Sequence, residues 1–62
     1  MPLIEFKGFE ARFQDPEVAE ELIRRLTDAV ADQFGREVAD ETWVIVEGID
    51  PTRWGFGGAP RT

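Results

Sequence analysis

The chain has 62 residues, of which 7 are basic and 13 acidic, and its formal net charge is −6. Such an acidic chain is a poor candidate for binding nucleic acid or an anionic membrane surface, because both depend on cationic contacts. The sequence contains neither cysteine nor histidine, which excludes disulfides and the usual soft metal ligands. A domain this small buries only about 60% of its unfolded surface. We therefore predict that residues 1–62 form one domain, stabilised by oligomerisation.

The sequence also shows no pattern typical of a targeting signal or a membrane span. No basic segment precedes an apolar one, as in a signal peptide, and no apolar run approaches the roughly 18 residues of a membrane span. We therefore expect a cytoplasmic protein without membrane contact.

Residues 2–9 (PLIEFKGF) predict a strand, because Ile4 and Phe6 alternate with Glu5 and Lys7. Residues 10–14 show no periodicity and predict a loop.

Pro2 directly follows Met1. If Met1 is removed, Pro2 carries a secondary amine, which is both a base and a nucleophile. Apolar surroundings would lower the pKa of this amine towards the working pH. A proline at the first residue of a strand is also tolerated for purely structural reasons, so these two residues alone leave both interpretations open.

Residues 15–34 predict a helix. Asp15 is a capping residue, Pro16 suits the first helical position, and Gly35 is a typical residue after the last turn. Apolar residues recur with helical period at Val18, Leu22, Ile23, Leu26, Ala29, Val30 and Phe34. Two ion pairs, Glu20–Arg24 and Glu21–Arg25, are expected on its exposed face.

After a polar linker at residues 36–41, residues 42–47 (TWVIVE) predict a second strand that is apolar on both faces. Strand, helix and strand within about 45 residues predict a right-handed β-α-β unit with parallel strands. Residues 48–58 are rich in turn formers, and their glycines permit a tight hairpin. The large aromatics Trp54 and Phe56 are expected to pack against a neighbouring subunit.

Taken in order, several of these segments resemble the 4-oxalocrotonate tautomerase family. The resemblance rests on Pro2 after Met1, Glu10-Ala11-Arg12, Leu22-Ile23-Arg24, Ile45-Val46-Glu47 and Arg53-Trp54-Gly55-Phe56-Gly57-Gly58. It covers essentially the whole chain. It implies an α/β fold with one β-α-β unit and a C-terminal hairpin, paired into shared four-stranded sheets and assembled as a homohexamer, a trimer of dimers.

The resemblance also implies an activity: cofactor-independent keto–enol tautomerisation of a small 2-hydroxydienoate or 2-keto acid. Pro2 would be the general base and Arg12 would bind a substrate carboxylate. Trp54 matches a bulky aromatic that lines the active site. No metal is implied.

Two departures from the family pattern bear on the substrate. The prototype has a second arginine at the start of the second strand, where this chain has Thr42. Thr42 cannot pair with a carboxylate as a guanidinium does, so a monocarboxylate is expected unless Arg53 replaces the missing cation. The loop after Arg12 and the loop after Glu47 are also longer, by about two residues and one residue on that alignment.

Two alternatives remain. A protonated proline would support hydration, dehalogenation or decarboxylation, with Glu10, Glu47 or Asp50 as candidates to activate water. If Met1 is retained, Pro2 nitrogen is an amide, and the chain would instead be a non-catalytic subunit, for example of a hetero-oligomer.

Overall fold

The computed structural model describes residues 1–61. Its main elements, in chain order, are strand β1 (Leu3–Phe9), helix α1 (Pro16–Phe34), helix α2 (Arg36–Asp40) and strand β2 (Trp43–Ile49), followed by the short strands β3 (Gly55–Phe56) and β4 (Ala59–Pro60). Two 3-10 helices, Glu10–Phe13 and Pro51–Arg53, follow the two long strands.

The two long strands form a parallel pair, which confirms the predicted β-α-β unit. Their register runs from Leu3 opposite Trp43 to Phe9 opposite Ile49. Since the strands are parallel, both begin at one edge of the sheet and both end at the other. Residues around Pro2 and Thr42 are therefore neighbours, and the two 3-10 helices lie together at the far edge.

Helix α1 begins as predicted. The Asp15 carboxylate accepts a hydrogen bond from the Glu17 N–H at 2.9 Å, and Pro16 occupies the first helical position. At the other end the Gly35 N–H donates to the Ala31 carbonyl at 2.8 Å.

The surface ion pairs of α1 match the prediction only in part. Glu21 pairs with Arg25, as expected. Arg24, however, lies 3.7 Å from a carboxylate oxygen of Asp28, and the predicted Glu20–Arg24 pair is replaced. Both arrangements have the four-residue spacing that places side chains on one helical face, so the sequence did not distinguish them.

Three predicted boundaries are wrong. The linker at 36–41 contains helix α2, the loop at 10–14 contains the first 3-10 helix, and β2 is Trp43–Ile49, which leaves Thr42 outside the strand. Helix α2 forms despite its polar composition because its own residue Ala39 is buried, at 2% exposure, and such packing decides whether a short helix is stable.

The hairpin is confirmed. Phe56 pairs with Ala59 across a turn whose two residues, Gly57 and Gly58, have φ of 63° and 90°. Residues with a side chain rarely adopt these backbone angles, so glycine is strongly favoured at both positions. The Arg61 N–H donates to the Trp54 carbonyl at 2.7 Å and holds the hairpin closed.

The chain covers only one face of its sheet. Helix α1 packs over the face that carries Ile4, Val44 and Val46, which are half-buried. On the opposite face Trp43 is 62% exposed and Ile45 is 49% exposed. The predicted second strand, apolar on both faces, is therefore covered on one side within a single chain.

Candidate functional site

The first two residues lie against the start of β2. The Pro2 carbonyl accepts a hydrogen bond from the Trp43 backbone N–H at 3.0 Å, which extends the sheet by one residue. The Trp43 indole N–H donates to the Met1 sulfur at 3.1 Å. Pro2 itself is half-buried. The sheet thus fixes the position at which an N-terminal proline amine would lie.

An open depression of about 610 Å³ lies at the same edge of the sheet as Pro2 and is lined by Met1, Asp40, Glu41, Thr42 and Trp43. Its two carboxylates were not among the predicted site residues. One of them, Asp40, pairs with the Arg36 guanidinium at 3.9 Å. The pair Asp40-Glu41 shortly before β2 was visible in the sequence, but the parallel register was needed to place it at the same edge of the sheet as Pro2.

Thr42, the residue at the position of the missing arginine, lies at this same edge. Its hydroxyl donates to the Val38 carbonyl at 2.8 Å. The hydroxyl proton is therefore engaged with the backbone of α2, and the oxygen offers a ligand only lone pairs. Such an oxygen suits a donor and repels a carboxylate.

Arg12 lies beyond the other end of β1, in the first 3-10 helix. This helix rests on the paired glycines Gly8 and Gly48: a Cβ atom on Gly48 would lie 3.1 Å from the Glu10 Cα. The helix can therefore approach the sheet only where both strands lack a side chain. Phe13 packs edge-on against Phe6, with ring centroids 6.2 Å apart.

The Arg12 guanidinium is exposed and lies beside an apolar cleft. Within residues 1–61 it forms no ion pair. The cleft has a volume of about 450 Å³ and is lined by Phe6, Arg12, Phe13, Val18, Glu21, Leu22 and Arg25. Glu21 and Arg25 neutralise each other, which leaves Arg12 as the unpaired cation of that cleft.

Arg53 and Trp54 lie at the same edge of the sheet as Arg12. Trp54 packs against Phe9 with ring centroids 4.9 Å apart. Its indole nitrogen is buried and has no hydrogen-bond partner among the residues described. Arg53 is exposed and, in the part of the chain described, also forms no ion pair.

Asp50 caps the second 3-10 helix, which carries Arg53. The Asp50 carboxylate accepts hydrogen bonds from the Thr52 N–H at 2.9 Å and from the Thr52 hydroxyl at 2.7 Å. These hydrogen bonds, together with the nearby positive charge of Arg53, lower the pKa of Asp50 below its ordinary value of 3.8.

The five predicted site residues thus form two groups. Pro2 and Thr42 lie at the edge where the strands begin, and Arg12, Arg53 and Trp54 at the edge where they end. The strand between them, β1, has seven residues and is about 23 Å long at the usual rise of 3.3 Å per residue. Within one chain Pro2 and Arg12 thus lie beyond opposite ends of β1.

Residues 1–61 include no group of three or more acidic side chains placed to hold a metal ion. None of the helices described has the length and apolar character needed to cross a membrane.

These features define a class: a β-α-β protein with a C-terminal hairpin and a proline at the start of its first strand. The model of the tautomerase family, described as "Tautomerase enzyme", matches residues 2–61. The chain belongs to this family, which indicates an isomerase-type enzyme. Comparison with curated proteins and with solved structures gave no match.

Proposed function

We propose that the chain, once processed to Pro2, is a tautomerase that interconverts the enol and keto forms of a small 2-keto monoacid. The Pro2 nitrogen takes the proton of the 2-hydroxyl group as the C2–O double bond forms. The electrons of the carbon–carbon double bond move to C3, which takes the proton back from the proline. The observation that carries the proposal is the family match over residues 2–61, which includes Pro2.

Arg12 is proposed to bind the substrate carboxylate. It is exposed and free of ion pairs within residues 1–61, and a guanidinium binds a carboxylate through two parallel hydrogen bonds. Its apolar cleft suits the hydrocarbon part of the same substrate. Trp54 contributes an apolar wall at the same edge.

A monoacid is favoured over a diacid by the charges around Pro2. The depression there carries Glu41 and also Asp40, which pairs with Arg36 at 3.9 Å, and the Thr42 hydroxyl proton is engaged with Val38. A second carboxylate at this edge would meet like charge, which raises its free energy. Arg53 is the remaining candidate to supply a cation, if another copy of the chain brings it there.

We further propose that the active site forms between copies of the chain in a homohexamer, a trimer of dimers. Pro2 and Arg12 lie beyond opposite ends of a strand about 23 Å long, which favours a site in which a second copy supplies one of them. The buried Trp54 indole N–H also lacks an acceptor among the residues described, and buried donors are rarely left unpaired.

The size of the surface supports assembly independently. The chain exposes 4994 Å², whereas a compact monomer of 7.0 kDa exposes about 4,000 Å². The excess of about 1,000 Å² is close to one side of a standard interface. The radius of gyration is 14.2 Å, against about 11 Å for a compact chain of this length. Light scattering should give six chains, and a stable folded monomer at micromolar concentration would contradict assembly.

The activity is tested by ultraviolet assay of phenylenolpyruvate and 2-hydroxymuconate side by side, on protein whose intact mass shows loss of Met1. Pro2→Ala should lower kcat/KM strongly, because removal of a general base typically costs 10²–10⁴-fold. A change within about twofold would mean that Pro2 is not the base. Retention of Met1 in active protein would favour a different mechanism.

A second function, hydration or a related reaction, is favoured by one observation. Glu41 and the Arg36-paired Asp40 lie at the same edge of the sheet as Pro2, and a carboxylate there would attract a protonated proline. A protonated proline is an acid, and a carboxylate can activate water. The pH profile separates the two: kcat/KM rises with pH through the amine pKa if Pro2 is a base, and falls if it is an acid. The earlier candidates Glu10 and Asp50 lie at the far edge of the sheet.

A further inference from the structure

Trp43 contacts both residues at the chain's start. Its backbone N–H donates a hydrogen bond to the Pro2 carbonyl at 3.0 Å, and its indole N–H donates one to the Met1 sulfur at 3.1 Å. Trp43 also lines the depression at this edge of the sheet, and its side chain is 62% exposed. The indole is therefore carried by the same backbone segment that positions the proposed catalytic amine and is open to a ligand.

The acceptor of this indole N–H is lost in the processed chain. A thioether is a weak acceptor even when present, and removal of Met1 leaves the Trp43 donor directed towards the space that the methionine occupied. The same cleavage creates the free Pro2 amine. One event thus exposes a base and a hydrogen-bond donor in adjacent positions.

We propose that the Trp43 indole N–H donates a hydrogen bond to the 2-oxygen of the substrate while Pro2 moves its proton. This inference rests on the proposed tautomerase function and assigns the oxygen donor to Trp43. Negative charge grows on the 2-oxygen when the enol proton leaves, and a fixed donor aimed at developing charge stabilises the transition state more than the ground state.

The charges of the depression favour this assignment over binding of a second carboxylate. The indole donor is neutral, and Glu41 lies in the same depression together with Asp40, which pairs with Arg36 at 3.9 Å. A neutral donor in a depression that also holds the Glu41 carboxylate suits an oxygen that carries only partial charge, whereas a full carboxylate is repelled. Trp43 would therefore stabilise the oxygen of an enol or ketone and leave the substrate's single carboxylate to Arg12.

The test uses chemically synthesised chains that begin at Pro2. In one of them Trp43 is replaced by 3-benzothienylalanine, a tryptophan analogue. Its benzothiophene ring has the shape of indole but sulfur in place of N–H. We expect kcat for phenylenolpyruvate to fall roughly 10- to 100-fold, the range for loss of a hydrogen bond to a charged group, with a smaller change in KM. Trp43→Phe should lose a similar factor, and Trp43→His, which restores a ring N–H, should recover part of it.

Other results overturn the inference in distinguishable ways. If the benzothiophene chain keeps kcat within about twofold, Trp43 is not the donor, and the tautomerase proposal stands. A rise in KM alone would show that the contact is made equally in the ground state. Loss of the oligomer in light scattering would assign the N–H to a subunit interface. Inactivity of the unmodified chain on both enol acids would refute the proposed function, and this inference with it.

Discussion

The separation of Pro2 from Arg12 predicts that two inactive variants restore activity when they are assembled together. Pro2→Ala removes the proposed base and Arg12→Ala removes the proposed carboxylate ligand. The two residues lie beyond opposite ends of β1, whose seven residues span about 23 Å. If each site combines Pro2 of one copy with Arg12 of another, some sites of a mixed oligomer contain both native residues.

The size of the recovery follows from random assortment. In an equal mixture, half of the sites carry native Pro2 and half of those receive native Arg12, so about one quarter of the sites are complete. The parents are much weaker: removal of the base costs 10²–10⁴-fold, and loss of a charge-assisted hydrogen bond of 1.5–3 kcal/mol costs roughly 10- to 100-fold. The mixed protein should therefore exceed the better parent at least about twofold.

The assay measures kcat/KM for phenylenolpyruvate after the two variants are unfolded together and refolded together. Variants refolded separately and then mixed provide the control, because their copies have not exchanged. Activity equal to the mean of the two parents, in a sample shown by mass to contain mixed oligomers, would refute a site shared between chains.

Three further predictions concern single positions. Thr42→Arg should shift preference towards 2-hydroxymuconate; if the wild type already prefers that diacid and Arg53→Ala abolishes the preference, the monoacid assignment is wrong. Asp50→Ala should lower Tm at neutral pH, and since the pKa of Asp50 is lowered from 3.8, the contribution of its charge is present above 3.8 and is lost as pH falls from that value through the lowered pKa of the folded state; a Tm difference that does not shrink as pH falls below 3.8 would contradict this. Gly48→Ala should raise KM, because the new Cβ would lie 3.1 Å from the Glu10 Cα and displace the 3-10 helix that carries Arg12. An unchanged KM would show that this helix adjusts without moving Arg12.

Much of the fold was predictable because its signals are local. Asp15 and Pro16 define the start of α1, and the paired glycines of the hairpin define its turn. Helix α2 was missed because its composition is polar, and its stability depends on the burial of Ala39. That burial exists only once α1 and β2 have packed together, so no local pattern indicates it.

For the site, sequence reasoning named residues but not their distances. Pro2 and Arg12 were identified together by resemblance, whereas the register of β1 against β2 places them at opposite edges of the sheet. Trp43 was assigned to a strand and to oligomer packing but not to the site, because a tryptophan in an apolar run is typical of packing. Met1 and Trp43 are 42 residues apart in the sequence. Their contact depends on the parallel pairing of the two strands, which periodicity cannot reveal.

The glycine pair beneath the first 3-10 helix has a consequence for how this family of chains can diversify. Gly8 and Gly48 seat the turn directly on the sheet, so the location of Arg12 is set by the strands and not by the segment that continues to α1. Residues added between Phe13 and Pro16 can then lengthen that connection while the cation stays in place. If Arg12 binds the substrate carboxylate as proposed, this loop is a part of the molecule in which substrate range can change while that contact is kept.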